Sequence, residues 1–110
     1  MRLAAAAVVV VAAIESGCST CENTVVQVVD SDTQSAIVFV RACDATTPFS
    51  THVSLVPKGQ PLPNEPGNVL VADDDHGRVP INATNALPIH PSFLTPSHLR
   101  IQLPRAARIF

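Results

Sequence analysis

The chain has 110 residues, ten of them proline, and a formal net charge of −2. That size allows one small domain with a modest core. The prolines argue against long helices, and the charge balance offers nucleic acid no electrostatic footprint.

Met1-Arg2 is a short basic start, residues 3–14 carry no polar side chain, and Glu15-Ser-Gly-Cys18 follows. Basic n-region, apolar h-region and small-residue exit make the layout of a secretory signal. The apolar run is too short to cross a bilayer, which takes about 20 residues. Residues 1–17 are therefore read as a helical signal segment and residues 18–110 as a single small β domain, so the protein is exported. Cys18 stands where a bacterial lipoprotein is cut and acylated, although Glu15 occupies a position that normally carries an apolar residue. Two fates stay open: a lipid on Cys18 that attaches the protein to a membrane, or ordinary cleavage beside Ser16 or Gly17. Cys18-x-x-Cys21 has redox-motif spacing, but no βαβ pattern precedes it.

Residues 24–29 are β-branched and read as a strand, residues 30–35 as a polar turn, and residues 36–42 as a second strand. Antiparallel pairing across this turn puts Val26 opposite Val38, Val28 opposite Ala36, and Cys21 opposite Cys43. Cross-strand neighbours have Cβ atoms about 4.5–5.5 Å apart, near disulfide reach. The valines and the cysteines thus agree on one hairpin stapled by Cys21 and Cys43. In this register Val26, Val28, Val38 and Val40 share one face. Val25, Val29, Ile37 and Phe39 share the other, with Gln27 and Arg41. Two apolar faces predict a hairpin inside a sheet rather than at its edge.

Residues 44–48 connect to a third strand at 50–56. Residues 60–67 hold Pro61, Pro63 and Pro66 and cannot be regular. A fourth strand is predicted over 68–72, a polar turn over 73–77 and a short extended piece around Val79 and Ile81. Residues 86–93 and 98–103 form a second hairpin around Thr95-Pro-Ser97, pairing Phe93 with Leu99, Pro91 with Ile101 and Ile89 with Leu103. Pro88 and Pro91 lack N–H donors and mark an edge strand. The expected fold class is all-β: a small antiparallel meander or sandwich of five to six strands after the signal helix.

Cys21-Glu-Asn-Thr-Val25, the run from Ala36-Ile-Val-Phe-Val-Arg-Ala-Cys43 to Thr46-Thr47, Phe49-Ser-Thr-His-Val-Ser54 and Gly67-Asn-Val69 together resemble small exported bacterial proteins of unknown function. The resemblance covers residues 21 to about 77, in the same order and spacing. Residues 30–34 depart from a Ser-Pro-Asp-Gly turn, and Asp44 and Pro48 stand where glycines are found, so the loop after Cys43 is expected to differ in shape. The resemblance implies export, a bacterial source and a small β domain. It implies no activity.

Asp73-Asp-Asp-His76 is the run richest in ligand types, and Asp73, Asp75 and His76 are the candidate metal residues. Adjacent residues in a turn seldom converge on one ion, and Asp also serves turns through its own backbone bonds. A solvated acidic loop is therefore the simpler reading. His52, His76, His90 and His98 are scattered; His52 alternates with Val53 and is expected at the surface or half-buried. A hydrolase built from Ser50 or Ser54 with His52 would need an oxyanion hole, and no Gly-x-Ser-x-Gly elbow occurs. Thr46, Thr47, Ser50 and Thr51 form a hydroxyl-rich patch, by default bonding loop backbone. A glycan is the sharper alternative, but a chain with no Trp or Tyr can hardly build a sugar platform. Asn82-Ala-Thr84 is a glycosylation triplet only in a eukaryotic secretory route, and the resemblance points elsewhere.

The sequence therefore predicts a non-enzymatic envelope protein with no cofactor and no nucleic acid, acting by surface interaction on an unidentified envelope partner. It would be periplasmic or a membrane-anchored lipoprotein in a bacterium. The alternative is a periplasmic metal-binding module using residues 73–76.

Overall fold

A computed structural model describes residues 21–43 and 49–110; the expected signal segment, Cys18 and residues 44–48, with Thr46 and Thr47, lie outside the described residues. The fold is all-β. β1 (Cys21–Asp30), β2 (Gln34–Cys43), β3 (Ser50–Pro57), β4 (Leu70–Asp73) and β7 (Arg108–Ile109) form a five-stranded antiparallel sheet in that order. β5 (His90–Thr95) and β6 (His98–Gln102) pair separately as a hairpin.

The first hairpin closes as its cysteines require. Cys21 lies opposite Cys43, and the two are joined by a disulfide with Cα atoms 3.9 Å apart. The register holds as far as Val25–Phe39 and then slips by one residue, so that Gln27 faces Val38 and Val29 faces Ala36. The expected pairs Val26–Val38 and Val28–Ala36 are thus corrected. Val26 is the extra residue of a β-bulge, which doubles one residue on the inner face and turns Val28 to the side of its partner Ile37. The turn itself is held by local bonds. Ser31 N–H donates to the Gln34 carbonyl at 2.8 Å, and the Ser35 hydroxyl donates to Asp30 at 2.6 Å.

β1 is an edge strand, against expectation. Only β2 pairs with it, leaving Val25 49% and Val28 51% exposed. β2 is the buried partner, with every residue from Ser35 to Val40 inside. Two-sided apolar patterning therefore described β2 correctly and β1 only in part.

The inner face of the sheet carries Val38, Val53 and Ala72, which pack with Val79, Leu87 and Ile89; Val26, Leu70, Ile101, Leu103 and Ala107 close the cluster. Phe93 pairs with Leu99 and Pro91 with Ile101, as predicted, and Ile89 and Leu103 continue the same apolar side. Residues 79–89 form no strand, yet they seal this face: Val79, Ala86, Leu87 and Ile89 are buried. The Leu87 N–H donates to the buried Thr51 hydroxyl at 2.9 Å.

The outer face carries Ile37, Phe39 and Val56, covered by Leu62 from the proline-rich segment. That segment has too few N–H donors to add a strand, so side chains tie it down instead. The Asn23 amide donates to the carbonyls of Pro63 (3.2 Å) and Glu65 (3.0 Å), and Asn64 donates to the Cys21 carbonyl (3.1 Å). Strand β4 begins at Leu70 rather than Asn68 because Asn68 uses its side chain in place of its backbone. Its carboxamide accepts from Leu55 N–H at 2.8 Å and donates to the Leu55 carbonyl at 2.9 Å.

Candidate functional site

The chemistry-bearing side chains gather on the outer face of the sheet. Cross-strand pairing lines up Val25, Phe39, His52 and Val71 in one row, and Asn23, Arg41 and Ser50 in the next. Where the proline-rich segment stops covering this face, a cleft of about 430 Å³ opens. His52 and Val71 lie at it, with Pro66, Phe49, Phe110 and the Asp73–Arg108 pair around it. Phe49 is 46% and Phe110 69% exposed.

His52 is buried, only 3% exposed, which corrects the expected surface or half-buried position. The face away from Val53 is a second interior, made by Phe39 of β2 and by the chain around Gly67, which returns fifteen residues later. The imidazole stacks on Phe39 with centroids 5.2 Å apart. Its Nδ1 accepts the Gly67 N–H at 2.8 Å, and its Nε2 lies 2.7 Å from the Ser50 hydroxyl. A neutral imidazole has one N–H and one lone pair. With Nδ1 accepting, the proton is on Nε2 and points at Ser50. Burial, and then the nearby Arg41 charge, lower the His52 pKa to about 4, so this neutral tautomer prevails at neutral pH.

The Ser50–His52 contact is thus the reverse of a nucleophile–base pair. A general base must take the hydroxyl proton, whereas here the imidazole gives a hydrogen bond to the hydroxyl. Ser54 is also spent, accepting the Asn68 N–H at 3.1 Å. The hydroxyl patch read from the sequence is divided: Ser50 sits on the outer face opposite Arg41, and Thr51 on the inner face against Leu87.

Arg41 is held by carboxamide oxygens, those of Asn23 (2.8 Å) and Asn64 (3.1 Å). Asp73 is the last residue of β4, opposite Arg108 of β7. Arg108 Nε donates to Oδ1 at 3.2 Å and Nη2 to Oδ2 at 2.6 Å, a bidentate pair. This bond is the main cause holding the Asp73 carboxyl below its usual range and raising Arg108. The Arg108 guanidinium also sits 4.9 Å from the Phe110 ring centre.

Asp73, Asp75 and His76 are not gathered as metal ligands. Asp73 spends both oxygens on Arg108 and accepts the Asp75 N–H at 2.9 Å, while Asp75 lies 3.6 Å from Arg78. Asp75 and His76 adopt positive φ of 51° and 59°, a conformation that Asp and His tolerate better than most residues. The run is therefore a tight turn, with Val79 N–H donating back to the Asp74 carbonyl at 3.1 Å. Among the described residues no group of three His, Cys, Asp or Glu side chains could hold an ion. The acidic run is not a free solvated loop either, since its first member is anchored in the sheet.

His76, His90 and His98 are exposed. Asn82 is exposed and caps its own turn: its side-chain oxygen accepts the N–H groups of Thr84 (2.9 Å) and Ala86 (3.2 Å) and the Thr84 hydroxyl. Sequence reasoning missed Arg108, Asn23, Asn64 and Asn68. The one signal in the sequence for the first of these is a charge split, with Asp73, Asp74 and Asp75 clustered mid-chain and Arg100, Arg105 and Arg108 near the C-terminal end.

Compared with protein-family models, curated proteins and solved structures, the chain matches none. The Cys21–Cys43 disulfide is consistent with an oxidising compartment.

Proposed function

We propose that the protein is a non-enzymatic, exported envelope protein of a bacterium that works by binding an envelope partner through its surface, either free in the periplasm or held to a membrane by a lipid on Cys18. One observation carries this reading. At the outer-face cleft the groups with chemical potential are committed to one another or to the fold. What remains at the rim is apolar: Phe49 and Phe110, 46% and 69% exposed. Exposed apolar side chains around a concavity suit recognition by burial of surface. The disulfide supports the exported part of the reading, because cytosolic thiols are kept reduced.

Cross-linking and pull-down from the native envelope test the binding function. Wild-type protein should capture a partner that a Phe49→Ser/Phe110→Ser variant loses while its circular dichroism is unchanged. Hydrolytic activity that disappears in Ser50→Ala would overturn the proposal. Fatty-acid labelling with membrane fractionation decides between the two fates of Cys18. Cys18→Ser should leave the Cys21–Cys43 bond and the fold intact in either case.

A further inference from the structure

His52 is the one buried ionisable side chain among the described residues. It holds the proline-rich segment through a bond that depends on its protonation state. We propose that His52 is an acid-operated latch: when its imidazole takes up a second proton, residues 60–68 let go of the outer sheet face. This device is independent of the partner-binding reading, since it rests only on the contacts of the imidazole.

The argument is one of donors and acceptors. Gly67 N–H, 2.8 Å from Nδ1, needs the lone pair there. An imidazolium carries N–H at both ring nitrogens, so protonation sets two donors head to head at that distance. Ser50 continues to accept from Nε2, so ring rotation would forfeit that bond and still leave the Gly67 N–H without an acceptor. Gly67 has no room to slide aside. A Cβ on it would meet the Leu70 carbonyl at 2.6 Å, the Val53 carbonyl at 2.7 Å and the His52 Cβ at 3.0 Å. The relief left is outward movement of the chain around Gly67, which lifts Leu62 off Ile37, Phe39 and Val56.

The charges facing His52 do not rescue the cation. From β2, Arg41 repels it. Asp73 of β4 shares the cleft but is neutralised by Arg108 of β7. From the segment itself, Glu65 is exposed and its backbone is tied to Asn23. Burial with Arg41 nearby lowers the pKa to about 4 in the closed form, and release into water returns it toward the ordinary histidine value. By linkage, the opening constant should grow on the order of 10²-fold between pH 7 and pH 3.5.

Nuclear magnetic resonance on the disulfide-bonded exported chain from pH 7 to 3.5 tests this. The His52 Hε1 shift reports ring protonation, the Gly67 amide and Leu62 methyls report the segment, and amides of β5 and β6 serve as an internal reference. The Gly67 and Leu62 signals should move with the His52 midpoint, and exchange at Gly67 should rise ~10²-fold relative to the reference amides. His52→Asn, whose carboxamide oxygen can accept the Gly67 N–H and does not titrate, should abolish the transition. The proposal is overturned if His52 titrates while Gly67 and Leu62 do not respond, or if the transition persists in His52→Asn. Should that variant fail to fold, the comparison of Hε1 with Gly67 inside the wild type still decides.

Discussion

The two faces of the five-stranded sheet are both covered, but by different forces. The inner face is sealed by hydrocarbon: Val38, Val53 and Ala72 meet Val79, Leu87, Ile89 and the side chains at the end of the second hairpin. The outer face has a small apolar patch under a single leucine, and hydrogen bonds donated by Asn23, Arg41, Asn64 and Asn68 and accepted by His52 and Ser54 hold the cover in place. Apolar burial is non-directional and tolerates small shifts. A polar seal needs each donor to meet its acceptor and leaves a costly orphan when one is removed. The inner face should therefore respond to volume, and the outer face to orientation and protonation.

Removing the largest side chain beneath the polar seal should have the largest effect. Phe39→Ala deletes the ring on which His52 stacks and which Leu62 covers, and should cost about 3–5 kcal/mol. Urea denaturation at neutral pH measures it. A loss under about 1 kcal/mol would mean that the outer face contributes little beyond shape.

Next is the staple beside Asn23 and Arg41. Replacing Cys21 and Cys43 together by Ser frees a crosslink spanning 22 residues and should cost roughly 3 kcal/mol in the chain-entropy model. Non-reducing peptide mapping of the wild type should recover the Cys21–Cys43 pair, and the doubly substituted protein should melt earlier.

Gly67→Ala probes orientation without touching any polar side chain. The added methyl would meet two backbone oxygens closer than 3.0 Å, and forcing the chain outward should cost about 1–3 kcal/mol. The same substitution should weaken the His52 contact, so the His52 pKa should rise toward its ordinary value, readable from the Hε1 shift.

The smallest effect belongs to the rim. Asp73 is held below its ordinary pKa chiefly by Arg108. Its pairing therefore stabilises the fold above the unfolded carboxylate pKa and is lost as pH falls through the lower folded value. Exposed pairs contribute little. Arg108→Gln should lower the melting temperature at pH 7 only slightly, and its stability profile should converge with that of the wild type at the acid end, where the pairing is already lost. Thermal scans from pH 2 to 7 check this, and a large loss at pH 7 would show that β7 holds the sheet together.

Legibility followed sequence distance. Both hairpins were readable because their partners are close in the chain and share one turn, so cysteine spacing and apolar alternation suffice. The bulge was not, because Val25-Val-Gln-Val-Val29 reads equally well in either register. Edge position was not, because β1 looks as apolar as β2 until the sheet order is known. At the candidate site, Ser50 and His52 were visible as residue types, but their roles were not. The bond that sets the tautomer comes from Gly67, a main-chain group, and main-chain groups leave no signature in a sequence.

The sequence by itself determined the all-β class, the two hairpins and the cysteine pairing of the first, since these rest on local periodicity, turn chemistry and prolines that forbid helices. Tertiary structure alone decided that His52 is interior, that Asp73 pairs with Arg108, and that side-chain hydrogen bonds tie the irregular residues 60–67 down over the outer face. The physical reason is the same in each case. Burial and pairing of a polar group depend on what the chain brings back from a distance, and a residue carries its donors and acceptors with it but not its partners.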